Sequence, residues 1–312
     1  MKIVKAGIDL GNSMLKGATF IDGKLVLKKL PNKIQFSKTI NPKARKIEMN
    51  NQVIYLGVGD LNNNILKHTR KNLLEQVLVM LNELYENENE LMVDLRLGLP
   101  PTQFFNDSYL RAFESLFPTN ETFEFTINGI FKKVIFNSVE TKVEGYSGFV
   151  SMVDSIDTKQ DLLSIDVGGG TTDLCSYKFD YEDNAYYPDI VDTIPTGVID
   201  LGKEIANYFN NVNSADITED SIDQVFKNNL EVIEYKDREY KLEEYIGTIK
   251  PTTDAMLNKI TNKFGQLDRY AVVGVGGGYK VFNRMIKEQI SNEIKIKEDK
   301  QFYANAIGYL AQ

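Results

Sequence analysis

Ile8-Asp9-Leu10-Gly11-Asn12-Ser13 and Ile165-Asp166-Val167-Gly168-Gly169-Gly170-Thr171-Thr172-Asp173 are two versions of one turn, and they decide the fold. In both, a short apolar strand runs into an aspartate, glycine and a small hydroxyl residue follow, and the chain turns back into a second strand. Glycine permits tight reversal and close approach of a ligand to the main chain. Successive N–H groups in such a turn can form an anion-binding concavity, and the adjacent carboxylate suits a hydrated divalent cation. A glycine-rich link between strands is in many proteins only a hairpin. A hairpin, however, has no need of Asp at the strand end in both halves of a chain. A third run, Val273-Gly274-Val275-Gly276-Gly277-Gly278-Tyr279, follows another apolar strand and opens a helix. Three glycine turns at strand ends, two with aspartates, point to a nucleotide held by its phosphates from two sides.

The 312 residues suffice for two domains with substantial cores. Hydrophobic content of 42% and charged content of 26% are those of an ordinary globular protein. A formal charge of −8 disfavours a large direct footprint on nucleic acid. Positive charge nevertheless concentrates early, at Lys24, Lys28, Lys29, Lys33, Lys38, Lys43, Arg45 and Lys46, either a solvated face or a contact for an acidic partner. One cysteine, Cys175, excludes an internal disulfide and fits a reducing, cytoplasmic setting. The single histidine, His68, excludes a multi-histidine metal cage and reads, with Thr69 and Arg70, as a surface residue at a helix start. Nothing resembles a secretory leader or a membrane span.

Strands and helices alternate in two similar blocks. Ile3–Asp9, Leu15–Phe20 and Lys24–Leu30 form a meander, followed by a hairpin turning at Asn50-Asn51. Leu73, Val77, Leu81 and Leu84 recur at helical spacing. The strand Leu91–Leu99 ends at Pro100-Pro101. A helix is expected over 105–117, then a hairpin through Asn128-Gly129 whose second strand ends at Asn137. The second block repeats the meander with Leu162–Asp166, Thr172–Tyr177 and Asp189–Thr196. Helices over 199–209 and 219–228, a charged hairpin within 230–245, a helix to Phe264, a strand ending at Val273 and two closing helices complete it.

Phosphate turn, connecting helix, second phosphate turn and glycine-rich nucleoside turn, in that order, resemble the actin/Hsp70/sugar-kinase ATPase superfamily over essentially the whole chain. Asp9–Lys16 is similar to its first phosphate motif, Asp166–Asp173 to the second, Gly274–Tyr279 to the adenosine motif and Gln301–Gly308 to the second connecting helix. Short length, Val139-Glu140 and the 230–245 hairpin look most like plasmid-segregating bacterial actins of the ParM/Alp group. The resemblance implies an α/β fold of duplicated actin-like, ribonuclease H-like domains flanking a nucleotide cleft. Domain I is 1–154 with an insert near 31–70, completed by 300–312; domain II is 155–299 with an insert near 211–263.

The resemblance also implies roles. Asp9 and Asp166 hold Mg²⁺ through its waters. Gly11, Asn12, Ser13, Gly168, Gly169, Gly170 and Thr171 cradle the phosphates of ATP or GTP, and Lys16 neutralises their charge. Gly276, Gly277, Gly278 and Tyr279, with Gly202 and Lys203, bound the nucleoside. Glu140 orients or deprotonates the attacking water, with Asp166 and Asp173 in the catalytic set and Glu144 as the rival of Glu140. Ser138-Val139 stand before Glu140 where relatives often carry proline, and Asn12 stands where many carry Gly or Thr. The implied function is a filament-forming ATPase or GTPase for plasmid DNA segregation. Its partners are further copies of itself and a DNA-binding adaptor, with no membrane and no direct DNA contact. The alternatives are a small-molecule kinase of the same superfamily, with Asp107 or Arg111 on the substrate side, and a cell-division or pilus-assembly scaffold ATPase. A chaperone-type ATPase is a further one, for which the sequence offers no peptide-binding domain.

Overall fold

The computed structural model describes residues 1–153, 156–228, 230–296 and 298–311. Asp154, Ser155 and Gln312, which the sequence marks as domain boundaries, lie outside them. The chain divides into two compact units, Met1–Asp154 with Tyr303–Gln312, and Ser155–Phe302.

In the first unit β1 (Lys2–Leu10), β2 (Met14–Ile21) and β3 (Lys24–Pro31) form the expected antiparallel meander. The insert contributes β4 (Lys33–Gln35), β5 (Arg45–Met49), β6 (Gln52–Leu56) and β7 (Asp60–Leu61). Next come α1 (Leu73–Leu84), β8 (Glu90–Leu99), α2 (Pro101–Phe104), α3 (Asp107–Glu114), β9 (Thr122–Ile127), β10 (Ile130–Val143) and α4 (Tyr146–Val150). All ten strands join one sheet in the order β3-β2-β1-β8-β10-β9-β5-β6-β4-β7, so the insert extends the sheet beyond β9. Val77, Leu78 and Leu81 of α1 are fully buried with Ile8, Leu95 and Leu97 in one core, as their helical spacing requires.

Two expectations shift here for local reasons. The helix expected over 105–117 is present as the shorter α3, which starts where the Asn106 side chain accepts from the backbone N–H of Ser108 and Tyr109, and α2 is a separate turn before it. The strand expected to end at Asn137 runs on to Val143. A bulge falls between Phe136 and Ser138, and Asn137 and Ser138 both donate to Asp94 Oδ1 there (2.7 Å each).

The second unit contains β11 (Leu162–Val167), β12 (Thr172–Asp180), β13 (Ala185–Ile194), α5 (Val198–Asn213) and α6 (Glu219–Lys227). β14 (Val232–Tyr235), β15 (Arg238–Lys241), α7 (Glu243–Ile246) and α8 (Lys250–Phe264) follow, then β16 (Ala271–Val275), α9 (Tyr279–Ile286) and β17 (Glu293–Ile294). Its sheet has the order β13-β12-β11-β16-β17, with β14 and β15 pairing apart. Each unit thus has an antiparallel meander whose first strand pairs in parallel with a later one, as the repeated turn implies. Every residue of β11 is buried, the pattern of a strand covered on both faces.

α10 (Glu298–Ala311) closes the chain. In the first unit it lies against glycines. A Cβ on Gly7 would fall 2.3 Å from the Ala306 carbonyl oxygen, and one on Gly98 would enter the Tyr309 ring. Asn305 Oδ1 accepts from the N–H groups of Gly145 and Gly148 (3.1 Å each), satisfying the first turn of α4.

Candidate phosphate-binding site

The first phosphate turn follows β1, and its carbonyls are tied back by residues far away in sequence. Arg70 Nη1 donates to the Leu10 carbonyl (2.7 Å) and its Nη2 to Asn12 Oδ1 (2.6 Å). Asn32 Nδ2 donates to the carbonyls of Gly11 (2.7 Å) and Asn12 (3.2 Å), and the Asn32 N–H to that of Ser13 (3.0 Å). Gln76 in turn holds Asn32 Oδ1 at 2.6 Å. In a trans peptide the N–H points opposite to the preceding C=O. The N–H groups of Gly11, Asn12, Ser13 and Met14 therefore point away from Arg70 and Asn32, as an anion nest requires. Gly11 is fixed sterically, since a Cβ would fall 2.6 Å from the Met14 carbonyl oxygen.

The second turn uses the same device with different donors. Val198 and Ile199, the first residues of α5, donate to the carbonyls of Gly168 (3.0 Å) and Gly169 (2.9 Å), while Gly168 N–H closes the turn on Thr171 O (2.8 Å). The N–H groups of Gly169 and Gly170 consequently face away from α5. Asp166 and Asp173 are directly opposed across β11 and β12, which puts both buried side chains on one face. Asp173 accepts from Thr193 Oγ1 (2.8 Å) and Thr171 Oγ1 (3.3 Å). Gly276, at φ +78°, presses on this strand end: a Cβ there would sit 2.3 Å from Asp166 Oδ1 and 2.6 Å from Val167 O. Gly278 N–H donates to Val167 O at 2.9 Å. The third glycine run thus packs directly on the second phosphate turn.

Around Asp9 the first unit gathers an ionic cluster. Lys16 Nζ lies 2.9 Å from Asp9 Oδ2, and Lys67 Nζ lies 4.0 Å from Oδ1. Lys67 also pairs with Glu144 and donates to Gly98 O (3.3 Å), and Tyr309 donates to Glu144 at 3.4 Å. Burial pushes the Asp9 carboxyl upward, but Lys16, Lys67 and Arg70 outweigh it and hold it below the usual range. For Glu144 burial wins over Lys67, and the nearby Asp9 charge acts in the same direction, so its carboxyl is raised. Burial brings the Arg70 guanidinium down to about 10, against the pull of Glu144 and Asp9. Three cations against two carboxylates leave a desolvated excess of positive charge, which favours an anion.

Glu140 is not part of this cluster. Because β10 continues through the bulge, Glu140 stands in mid-strand beside Arg96, 46% exposed, paired with Arg96 (2.8 Å) and Lys142 (2.9 Å). Its hydrogen bond to Lys142 holds its carboxyl below the usual range. Glu144, four residues and roughly 13 Å further along the strand direction, is the acid that reaches the Asp9 group. Ligands in open α/β sheets bind beyond the carboxyl ends of strands, which is where Glu144 lies and Glu140 does not.

Four other expected residues stand in packing or surface positions. The Tyr279 ring is buried against Gly274, where a Cβ would come within 1.9 Å of it. It packs α9 onto β16, and burial and the nearby Glu293 push its phenol far upward. Gly202 is buried where α5 meets Glu219 and Ile222 of α6, and Lys203 beside it is exposed. Gly277 is exposed next to the Phe302 ring. His68, read from sequence as a surface residue, is half-buried and stacks on Tyr109, and Lys67 and Arg70 on either side of it are buried. Asp107 and Arg111 are exposed, with Arg111 bonded to the Asp107 carbonyl.

Asp9 in one unit and Asp166 in the other each end a strand at a phosphate turn. Among the described residues no group of three or more His, Cys, Asp or Glu side chains could cage a metal ion. One or two carboxylates at phosphate turns instead fit Mg²⁺, which keeps several waters and is held largely through substrate phosphates. No helix among the described residues is long and apolar enough to cross a membrane.

Residues 164–288 match the family model described as archaeal actin homologue MreB-like, C-terminal. No curated protein matches the chain at a significant level. Solved structures resemble it over nearly its whole length. An archaeal actin homologue is 18% identical, with a TM-score of 0.78 and 98% of each chain covered. The same homologue in complex with ADP gives 17% and 0.77, covering 98% of this chain and 97% of that one. A 15-stranded ParM filament from Clostridium botulinum gives 19% and 0.76, covering 100% and 99%.

Proposed function

We propose that this chain, a member of the actin-like superfamily by its fold, binds and hydrolyses ATP or GTP with Mg²⁺ and assembles into filaments in a nucleotide-dependent way. The observation that carries this reading is the matched construction of the two strand-end turns, each with its carbonyls tied back so that successive N–H groups face one way. A nucleotide's phosphates carry the charge and oxygens that such a turn can accept, and in the first unit Lys16 and Lys67 stand beside it. The solved relatives support it in kind, one with ADP and one as a filament.

Mg²⁺ would supply charge neutralisation at the phosphates, held through Asp9 and Asp166. Lys16 keeps Asp9 ionised and adds positive charge at the first turn. Glu144, whose carboxyl is raised by burial, is suited to orient a water and accept its proton. Tyr309 and Lys67 fix its position. Binding of the triphosphate favours the assembling state and hydrolysis weakens it. The biological use is plasmid DNA segregation, with DNA reached through an adaptor protein, in keeping with the charge of −8. Sedimentation and light scattering with Mg-ATP or Mg-GTP at tens of micromolar test the reading. Polymer that appears with nucleotide and decays as phosphate is released supports it, and a protein that stays monomeric with both nucleotides refutes it.

A further inference from the structure

The main chain is held on both sides of Glu144. Its own N–H donates to the Leu99 carbonyl (2.9 Å) at the end of the β8–β10 ladder. The next residue, Gly145, takes φ +76° and turns the chain out of β10 into α4. A helix that starts on glycine has no side-chain oxygen of its own to cap it. Asn305 supplies that oxygen from 160 residues away, and Oδ1 accepts from both Gly145 N–H and Gly148 N–H at 3.1 Å. The Asn305 side chain is buried, so removing its oxygen leaves two N–H groups without their acceptor.

Asn305 and Tyr309 stand one turn apart on α10 and therefore share a face. Tyr309 reaches the Glu144 carboxylate at 3.4 Å, while Asn305 reaches the peptide groups that follow it. The helix is seated without slack. A Cβ on Gly308 would fall 1.7 Å from the Ser147 carbonyl oxygen, and Lys5 Nζ donates to the Leu310 carbonyl at 2.8 Å. All of these residues belong to the first unit.

We infer that Asn305 is a positioning residue for Glu144: by fixing the peptides after it, α10 sets where the carboxylate stands when it meets the attacking water. The inference rests on the hydrolysis reading above. Glycine at 145 leaves the backbone free to rotate there unless something holds it, and the Asn305 oxygen is what holds it. A base displaced by about 1 Å can lose about 10²-fold in rate. Neither Asn305 Oδ1 bond goes to a phosphate turn, so the loss falls on the chemical step and not on the grip on nucleotide.

Asn305→Leu keeps the volume and removes the acceptor, whereas Asn305→Asp keeps an oxygen in the same place. Phosphate release gives kcat and KM, compared at equal amounts of sedimented polymer. Calorimetry gives the affinity for the diphosphate product, alone and with aluminium fluoride standing in for the transferring phosphoryl group. Asn305→Leu should lower kcat on the order of tenfold or more, with KM and diphosphate affinity within about twofold of the parent. Its affinity for the aluminium fluoride complex should fall with kcat, and Asn305→Asp should recover most of both. Should Asn305→Leu fail to fold, Asn305→Ser is read by the same criteria. A kcat within about twofold of the parent overturns the inference. So does a kcat that falls only in step with diphosphate affinity and thermal stability, or a loss that Asn305→Asp does not recover. If Glu144→Gln is impaired and Asn305→Leu is not, this inference fails while the hydrolysis reading stands. Glu144→Gln with parental turnover, or a parent that hydrolyses neither nucleotide, removes both.

Discussion

Replacing Lys67 by Met removes a charge while keeping most of the volume, and its cost can be worked out. Lys67 is 2% exposed, pairs with Glu144, and lies 4.0 Å from Asp9. Asp9 keeps Lys16 at 2.9 Å, but Glu144 loses its contact cation in a buried place. Removing one partner of such a pair typically costs about 3–5 kcal/mol. The carboxyl has an escape, because it can take up a proton. From an unfolded value of about 4.3, holding it neutral at pH 7 costs about 3.7 kcal/mol, at 1.36 kcal/mol per pH unit, and this caps the destabilisation. The sign follows from linkage. In the variant the folded-state carboxyl rises further above its unfolded value, so folding is favoured below about 4.3 and loses stability as pH rises. Urea unfolding followed by circular dichroism should therefore give a stability loss of at most about 3.7 kcal/mol near pH 7, less the part that the already raised carboxyl costs the parent. It should shrink to at most about 1 kcal/mol near pH 5, and Glu144→Gln in the Lys67→Met background should remove most of it. A difference that is the same at both pH values would refute the assignment of Lys67 as the counter-charge of Glu144.

Glu144→Gln should lower nucleotide turnover by about 10²-fold or more with nucleotide still bound, whereas Glu140→Gln should leave it within about twofold; phosphate release by both variants decides between the two acids. Gly276→Ala meets Asp166 Oδ1 at 2.3 Å and a φ of +78°, so thermal unfolding should show a loss of at least about 1–2 kcal/mol together with weaker nucleotide binding by calorimetry. Arg70→Met leaves the Leu10 carbonyl and Asn12 Oδ1 without their donor; nucleotide affinity should fall by about 1–3 kcal/mol, and affinity equal to the parent's would show that Arg70 does not shape the turn.

The strand-end turns were legible because their determinants are local. An apolar run, Asp and Gly within a few residues state both the reversal and the need for close approach, and the repeated meander follows from them. The place of Glu140 was not legible, because β10 continues through the bulge at Asn137 to Val143, and no residue type in 130–143 announces that. Lys67, Arg70, Asn32 and Gln76 were invisible for another reason. They reach the first turn from 20 to 60 residues away, out of short loops and one helix without any periodic signature, and a buried Lys-His-Thr-Arg run has the spelling of a solvated one. Tyr279 and Gly202 show the converse ambiguity: a glycine beside an aromatic or a helix can make room for packing as well as for a ligand.

Both turns have their carbonyl oxygens engaged by the protein's own Arg70, Asn32 and α5 donors. Their shape is therefore inherited from the scaffold and does not wait for a guest. Arrival of a nucleotide then demands little local freezing, which keeps the entropic toll on association low. Departure, by the same token, gains nothing from melting these segments, so the gate that sets residence time must be built from other parts of the molecule.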